Sequence, residues 1–228
     1  MRKTSVFVLL LAALVIGMVS VASATGVTCR NGVGCLNGTD HYDWTQFGAT
    51  FTPVPNDSIA VTFDGLGPTA QVVFAGGGPG QRRDQGNGWG GNFFPGDALI
   101  WTNSPGQGPL TFNFSSPVSG VGLQIQADFF GAFTAMICDQ SNNCFSEAGN
   151  SNSNGDGSAI FIGLANDPGI TSATFSLTSC VLDCGDFAIN QMDITTASGG
   201  TTPEPSSLIL MGSGLLGLAG FARRRFMR

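Results

Sequence analysis

The sequence predicts an all-β fold, a jelly-roll-like antiparallel β-sandwich, for the central part of this 228-residue chain. Apolar residues recur at every second position in short runs, as Leu110, Phe112 and Phe114 do, and Gly, Pro, Asn and Asp interrupt these runs. No stretch of residues 25–202 keeps a helical period over ten or more residues. Alternation gives each strand one dry face, and two sheets stacked on their dry faces make a sandwich. We expect a signal helix before this sandwich and a transmembrane helix after it.

The residues before the sandwich have the features of a signal peptide, which we place at residues 1–24. Arg2 and Lys3 precede an almost wholly apolar run over residues 6–21, and Ala22-Ser23-Ala24 offers the small side chains that signal peptidase accepts. The alternative is an anchor that stays attached, but the run is short for a membrane span. We therefore expect export and cleavage after Ala24.

Alternation and turn residues predict about eleven strands within a sandwich domain at residues 25–197. They fall near residues 45–52, 58–64, 70–75, 98–102, 110–115, 118–127, 132–138, 144–148, 158–164, 170–178 and 187–195. Two segments, 76–95 and 139–157, are too long and too rich in glycine or polar residues to be tight turns. Long loops on a rigid scaffold often carry binding sites. Residues 198–202 are a Ser/Thr/Gly-rich flexible linker.

The exported part is strongly acidic. Residues 25–202 contain three arginines, no lysine and fourteen acidic residues, so their formal charge is 3 minus 14, or −11. Such a surface repels phosphate backbones and anionic lipid headgroups. Nucleic acid is therefore not an expected partner.

Six cysteines in an exported chain predict disulfide bonds formed in an oxidising compartment. Six cysteines permit fifteen connectivities, among which we favour nearest neighbours. The alternative, structural zinc, usually needs paired C-x2-C spacings, which differ from those found here. The expected pairs are Cys29 with Cys35, Cys138 with Cys144, and Cys180 with Cys184.

The last twenty-six residues, 203–228, combine three features in a fixed order. Pro203, Glu204 and Pro205 come first, then an apolar segment at 206–222, then a basic cluster of Arg223, Arg224, Arg225 and Arg228. Arginines beside an apolar segment orient it with the basic end in the cytoplasm. At about 1.5 Å per residue, this segment is barely long enough to span the hydrocarbon layer as a helix.

This order and spacing resembles the PEP-CTERM sorting signal. The resemblance implies that exosortase, a membrane transpeptidase-like cysteine enzyme of Gram-negative bacteria, recognises Pro203, Glu204 and Pro205 after transient insertion in the inner membrane. It implies delivery to the cell surface or extracellular matrix. The segments "HYDWTQFG" and "DFAINQMDI" also resemble parts of β-rich PEP-CTERM surface proteins without established activity. An ordinary C-terminal anchor is the alternative.

We find no catalytic constellation in the sequence and expect no enzyme. His41 is the only histidine, and no nucleophile elbow, H-E-x-x-H motif or Walker A loop is present. A glycosidase needs two carboxylates at a separation that sequence does not reveal. The acids nearest to aromatic residues are Asp84, Asp97, Asp128 and Asp186.

Two features could bind ligands. Arg82, Asp84, Asn87 and Trp89 combine polar and aromatic side chains that suit a glycan, unless Trp89 and its aromatic neighbours cap the core. The turns at residues 152–157 and 183–186 offer oxygen ligands for structural calcium, although ordinary turn chemistry explains them equally well. We expect no other cofactor.

These observations predict an exported, non-enzymatic surface or matrix protein with a structural or adhesive role. The alternative is a carbohydrate-binding module acting on extracellular polysaccharide.

Overall fold

The computed structural model describes residues 25–30 and 35–196, without the side chains of residues 28–30 and 166–168. The predicted signal peptide, linker, sorting motif and transmembrane segment lie outside the described residues. Contacts divide the chain into two compact units, Met1–Thr196 and Ala197–Arg228, and the description falls within the first. In that part of the chain, no helix is long and apolar enough to cross a membrane.

The described residues form an almost entirely β structure, as predicted, with thirteen strands and one short 3₁₀ helix at Trp44–Phe47. The strands are β1 (Thr25–Arg30), β2 (Asp40–Tyr42), β3 (Pro53–Val54), β4 (Ser58–Ala60), β5 (Ala70–Phe74), β6 (Gly80–Gln85), β7 (Gly88–Trp89), β8 (Ala98–Trp101), β9 (Leu110–Ala127), β10 (Gly131–Asp139), β11 (Cys144–Ser151), β12 (Ile160–Ser179) and β13 (Phe187–Thr196).

Two long strands, β9 and β12, organise the sheet. They pair antiparallel in two places, residues 160–165 against 120–125 and residues 172–175 against 110–113, with register shifts between. The main strand order is β11-β10-β12-β9-β13-β8-β6-β3. Pairing is antiparallel except between β6 and β7. This order does not confirm the predicted jelly-roll topology.

The register shifts separate two sets of partners along the long strands. In the first set, the first part of β9 pairs with β5, and the last part of β12 pairs with β10. In the second set, the last part of β9 pairs with β13, and the first part of β12 pairs with β1. Aromatic side chains from the two sets contact each other. The ring of Tyr42, in β2 beside β13, and the ring of Phe114, in the first part of β9, have centroids 6.4 Å apart. One apolar core therefore lies between the two sets of strands.

A second, smaller apolar cluster lies on the other face of β8. Side chains alternate along a strand, so Ile100 belongs to the main core while its neighbour Leu99 faces the opposite way. Leu99 packs with Trp89 and Phe93, which are 7 % and 0 % exposed. The glycine-rich segment that carries these two rings therefore covers the sheet.

Buried amide side chains hold the two long loop segments against this face. Gln126 accepts a hydrogen bond from Asn92 N at 2.7 Å and donates to Asn152 O at 3.1 Å. Gln124 donates to the carbonyl oxygens of Gly157 and Ala159, at 3.0 and 2.7 Å. Because these amides are nearly inaccessible to water, their backbone partners would be unsatisfied without them.

The structure corrects the strand predictions in several places, and the strand predicted at 58–64 ends at Ala60. Residues 45–52 contain the 3₁₀ helix and a turn, because Asp43 Oδ1 caps Thr45 N at 2.8 Å and Gly48, with φ of 101°, ends the helix. The predicted strands at 110–115 and 118–127 are one strand, β9, and those at 158–164 and 170–178 are one strand, β12. Bulges in extended backbone, not turns, separate their halves.

The segment at 76–95 is also not a plain loop, since it contains β6 and β7. Alternation of apolar residues could not reveal β6, whose buried positions include Arg82 and Gln85. Likewise, β11 runs to Ser151 through the predicted loop at 139–157.

Two of the three predicted disulfides are confirmed. Cys138 pairs with Cys144 and Cys180 with Cys184, with Cα atoms 4.1 and 5.6 Å apart. Cys35 is also disulfide-bonded. The side chain of Cys29, its predicted partner, lies outside the described ones.

Candidate functional site

Two adjoining cavities flank the 3₁₀ helix and share Asp43 and Thr45 in their walls. The first, here the acidic cavity, has a volume of about 220 Å³, and the second, the aromatic cavity, about 240 Å³. The acidic cavity is lined by Asp43, Thr45, Gly96, Asp97, Ala98, Asn190 and Gln191. The aromatic cavity is lined by Asp43, Thr45, Gln46, Val61, Thr62 and Phe63.

Trp44 fixes the wall between the cavities. Its ring is completely buried and stacks on Phe112 with centroids 5.6 Å apart. Its Nε1 donates a hydrogen bond of 2.6 Å to Asn190 O in β13. Asp43 and Thr45 on either side of this anchored residue are therefore held in place.

The carboxyl group of Asp97 lies in the wall of the acidic cavity and accepts two hydrogen bonds. Its Oδ2 accepts hydrogen bonds from Phe94 N at 3.2 Å and from Asn190 Nδ2 at 3.4 Å. Partial burial raises the pKa of Asp97, and these two hydrogen bonds oppose that rise. Asn190 is only 2 % exposed and bonds Gln124 through both ends of its amide, at 2.6 and 3.0 Å.

The acidic cavity offers mainly hydrogen-bond acceptors. Asp43 uses Oδ1 to cap Thr45, and Asp97 uses Oδ2. Within the described residues, no hydrogen bond occupies Asp43 Oδ2, Asp97 Oδ1 or Gln191 Oε1. Among the side chains that the structure describes, no arginine or lysine lines this cavity. The lining therefore suits a ligand rich in donors and repels anions.

The aromatic cavity has a different chemistry. Phe63 is 71 % exposed, and its ring stacks on His41 with centroids 4.8 Å apart and planes 18° apart. The side chain of Gln46 bonds both backbone groups of Val61, at 2.8 and 3.1 Å. The exposed ring of Phe63 therefore lies on a segment whose backbone Gln46 holds in place.

The four predicted glycan-binding residues lie close together in and around the β6–β7 turn. Arg82 is 3 % exposed, and its Nη2 pairs with Asp84 Oδ1 at 2.6 Å. Trp89 is buried in the second apolar cluster, and Asn87 is exposed and closes the turn through backbone bonds with Asp84. Arg82 and Trp89 are thus used in internal contacts, which leaves Asn87 as the exposed member.

Two further acids, Asp128 and Asp186, interact with Arg83 and Trp101 respectively. The guanidinium group of Arg83 lies between Phe51 and Trp101, 4.5 Å from each ring centroid. Burial raises the pKa of Asp128, while the positive charge of Arg83 opposes the rise. Burial also raises the pKa of Asp186, to about 6, although a hydrogen bond from Trp101 opposes it. Neither acid lines the acidic or the aromatic cavity.

The acids of the two turns considered for calcium take part in local hydrogen bonds. Asp156 Oδ1 accepts from Ser158 Oγ at 2.5 Å, and Asp183 accepts from Gly185 N at 2.8 Å and Gly106 N at 3.1 Å. Within the described ranges, 25–30 and 35–196, no group of three or more His, Cys, Asp or Glu side chains is placed to hold a metal ion.

Sequence reasoning missed the acidic cavity. In the sequence, Asp97 stands out only as an acid near aromatic residues, and Asp43 only as part of the segment "HYDWTQFG". The available signal was an Asp two residues before Thr45 with Gly48 following, which is typical of a short capped helix. The contribution of Asn190 and Gln191 depends on strand pairing that alternation alone does not reveal.

Comparison with known proteins gives information on the tail. No curated protein and no solved structure matches the chain. The family model of the PEP-CTERM protein-sorting motif matches residues 201–225. The motif implies export and sorting by exosortase to the extracellular surface of Gram-negative bacteria. The chain therefore carries a PEP-CTERM protein-sorting motif, as its Pro-Glu-Pro triplet, apolar segment and arginine cluster predicted.

Proposed function

We propose that the chain is a non-enzymatic surface protein with an adhesive role in the extracellular layer. Signal peptidase and exosortase process it, and it passes through the inner membrane on the way. It uses no cofactor in this role. The export route follows from the sorting motif, and the adhesive role is supported by one feature of the surface.

That feature is an apolar patch on two neighbouring loops, made of Phe129, Phe130, Val181 and Leu182. These side chains are 36–69 % exposed. The loops touch, because a Cβ atom at Gly131 would come within 2.7 Å of Val181 Cγ2. The disulfide between Cys180 and Cys184 closes the second loop. Contiguous apolar surface on a soluble domain is typical of an interaction site.

The test is retention of the exported chain on the surface of its own cells. Replacing Phe130 and Leu182 together by serine should release the protein into the medium at salt and detergent levels that leave the wild type attached. A matched control replaces Ile59 by serine, because Ile59 is also exposed, at 56 %, but lies outside the patch. Equal retention of all three proteins would argue against adhesion through this patch.

Carbohydrate binding is the second candidate function. It is supported by the acidic cavity, whose unused acceptors lie beside the exposed ring of Phe63. The predicted cluster around Trp89 supports it less, because Arg82 and Trp89 are buried.

A further inference from the structure

We propose that the acidic cavity and the aromatic cavity form one site that binds two consecutive residues of a neutral polysaccharide. This inference rests on the second candidate function and gives it a location and a ligand class. The acidic cavity takes the hydroxyl groups of one sugar residue. The aromatic cavity takes the C–H face of the next.

The ligand of the acidic cavity must be a hydrogen-bond donor. Asp43 and Asp97 each retain one carboxylate oxygen that no hydrogen bond within the described residues uses, and the side-chain oxygen of Gln191 is also unused. Vicinal hydroxyl groups can donate to such oxygens, and hydrogen bonds to charged acceptors are stronger than those to neutral ones. Uronic acids and phosphorylated sugars would place a negative charge beside two carboxylates, which disfavours them.

The aromatic cavity adds an apolar wall against which a sugar ring can pack. Phe63 exposes most of its ring, and Val61 beside it is 50 % exposed, so this wall is largely apolar. A pyranose ring combines hydroxyl edges with apolar C–H faces, so one ligand satisfies both cavities. Ligand sites commonly pair aromatic walls with a few well-placed polar groups.

The dimensions fit two single residues. Each cavity is smaller than the roughly 300–1,000 Å³ typical of sites for larger ligands, at about 220 and 240 Å³. They share Asp43 and Thr45, so ligands in the two cavities would be in neighbouring positions. Two linked residues of one chain fit this arrangement.

The polar groups are held in place before any ligand binds. Asn190 orients Asp97 and is itself bonded to Gln124 and, through its carbonyl oxygen, to Trp44. A site that is already ordered loses less conformational entropy on binding. Binding should therefore need no rearrangement of the strands.

The experiment measures binding of the purified full chain, in mild detergent, to soluble polysaccharides by affinity electrophoresis. The probes are neutral dextran, xylan, galactomannan and arabinogalactan, and the anionic polymer alginate. We expect retardation by at least one neutral polysaccharide and none by alginate. Absence of binding to all four neutral probes, or stronger binding to alginate, would overturn the proposal.

Two variants locate the site. Asp97→Asn should weaken binding about tenfold, the loss expected for a hydrogen bond to a charged group. Phe63→Ser, at an exposed position where folding should be unaffected, should weaken it several-fold. The matched controls are Glu147→Gln in β11, which also turns an acid into its amide, and Phe130→Ser in the apolar patch. Wild-type affinity in both Asp97→Asn and Phe63→Ser would place the binding elsewhere.

The cell-retention test and the polysaccharide-binding test examine the adhesive patch and the sugar site independently. If the patch variants detach from cells but bind polysaccharide normally, adhesion through the patch is supported whatever the result for the cavities. If the chain binds no polysaccharide yet stays attached through the patch, only the sugar site is lost.

Discussion

Trp101 Nε1 donates a hydrogen bond of 2.5 Å to Asp186 Oδ1, at a position where Asp186 is only 1 % exposed. Burial is the main reason why the pKa of Asp186 rises from 3.8 to about 6. The negative charges of Asp128 and Asp183 raise it further, and the hydrogen bond from Trp101 lowers it. Near neutral pH, folding therefore buries a carboxylate that would be better hydrated in the unfolded chain.

We expect Asp186→Asn to stabilise the protein near neutral pH. The side-chain oxygen of asparagine can still accept the hydrogen bond from Trp101. Its uncharged amide group is not repelled by Asp128 and Asp183. The free energy of unfolding should rise by on the order of 2 kcal/mol at pH 7.5 and change little at pH 4. Urea unfolding of both proteins at the two pH values provides the measurement.

The sign follows from proton binding. Because the folded pKa of Asp186 exceeds the unfolded one, the folded state holds more protons between pH 3.8 and about 6. The contribution of Asp186 to wild-type stability is therefore full below that window and is lost as the pH rises through about 6. Glu147→Gln serves as the control. A gain at pH 4 as large as that at pH 7.5 would contradict this explanation.

Gly106 should tolerate no side chain. A Cβ atom there would lie 2.0 Å from the carbonyl carbon of Gly185 and 2.3 Å from Asp186 N, so backbone would have to move. We expect Gly106→Ala to destabilise the chain by roughly 2–4 kcal/mol. Gly90→Ala is the control, because a Cβ at Gly90 meets nothing within 4 Å. Thermal or urea unfolding should separate the two variants, and similar stability would show that the two loops are not in close contact.

The sequence was most informative where one face of a strand is dry. Leu110, Phe112 and Phe114 alternate with polar neighbours, and all three are buried in β9 as expected. Alternation could not show that Ser116 and Pro117 continue the strand, because Pro is usually a sign of a turn or a strand edge. The halves of β9 were therefore predicted as separate strands.

The sequence was least informative where polar side chains are buried. Arg82 and Gln126 are 3 % and 1 % exposed, yet their types predict a wet surface. Gln126 bonds two loop segments that are distant in sequence, whereas Arg82 pairs with Asp84 two residues further along β6. The acidic cavity has the same origin, because Asp97 and Asn190 meet only through the pairing of distant strands.

Gln126 should be important for holding the loops on the sheet. In Gln126→Leu, Asn92 N and Asn152 O would lose their buried partner, which costs about 1–3 kcal/mol for each unsatisfied group. We expect faster amide exchange in residues 86–97 and 152–159, with little change in β10. Gln71→Leu, at a half-buried position bonded to the exposed Asp57, is the control. Unchanged exchange in both segments would show that Gln126 does not hold the loops.

Removing the disulfide between Cys138 and Cys144 should lower the free energy of unfolding by less than removing a disulfide between distant parts of a chain would. It closes a loop with a sequence separation of 6, for which chain entropy gives about 2 kcal/mol. Asp139 also orders this turn by accepting hydrogen bonds from Ser141 N and Asn143 N, at 2.8 and 2.9 Å. We therefore expect Cys138→Ser with Cys144→Ser to fold and to lose at most about 2 kcal/mol in urea unfolding. Failure to fold would show that the disulfide, not Asp139, sets the hairpin.

The sorting motif should control processing without affecting the fold of the β domain. Replacing Pro203, Glu204 and Pro205 by alanine removes the triplet within the matched residues 201–225 but keeps the apolar segment and Arg223, Arg224 and Arg225. The basic cluster should still orient that segment, so the variant should remain in the inner membrane at its uncut length. Mass spectrometry and cell fractionation measure both effects.

Replacing Ser198, Gly199 and Gly200 by alanine is the control, because it changes three residues just outside the matched motif. If the triplet variant is released and shortened like the wild type, the triplet is not the recognition element. If the wild type itself keeps its final arginines and stays in the inner membrane, the apolar segment is a permanent anchor.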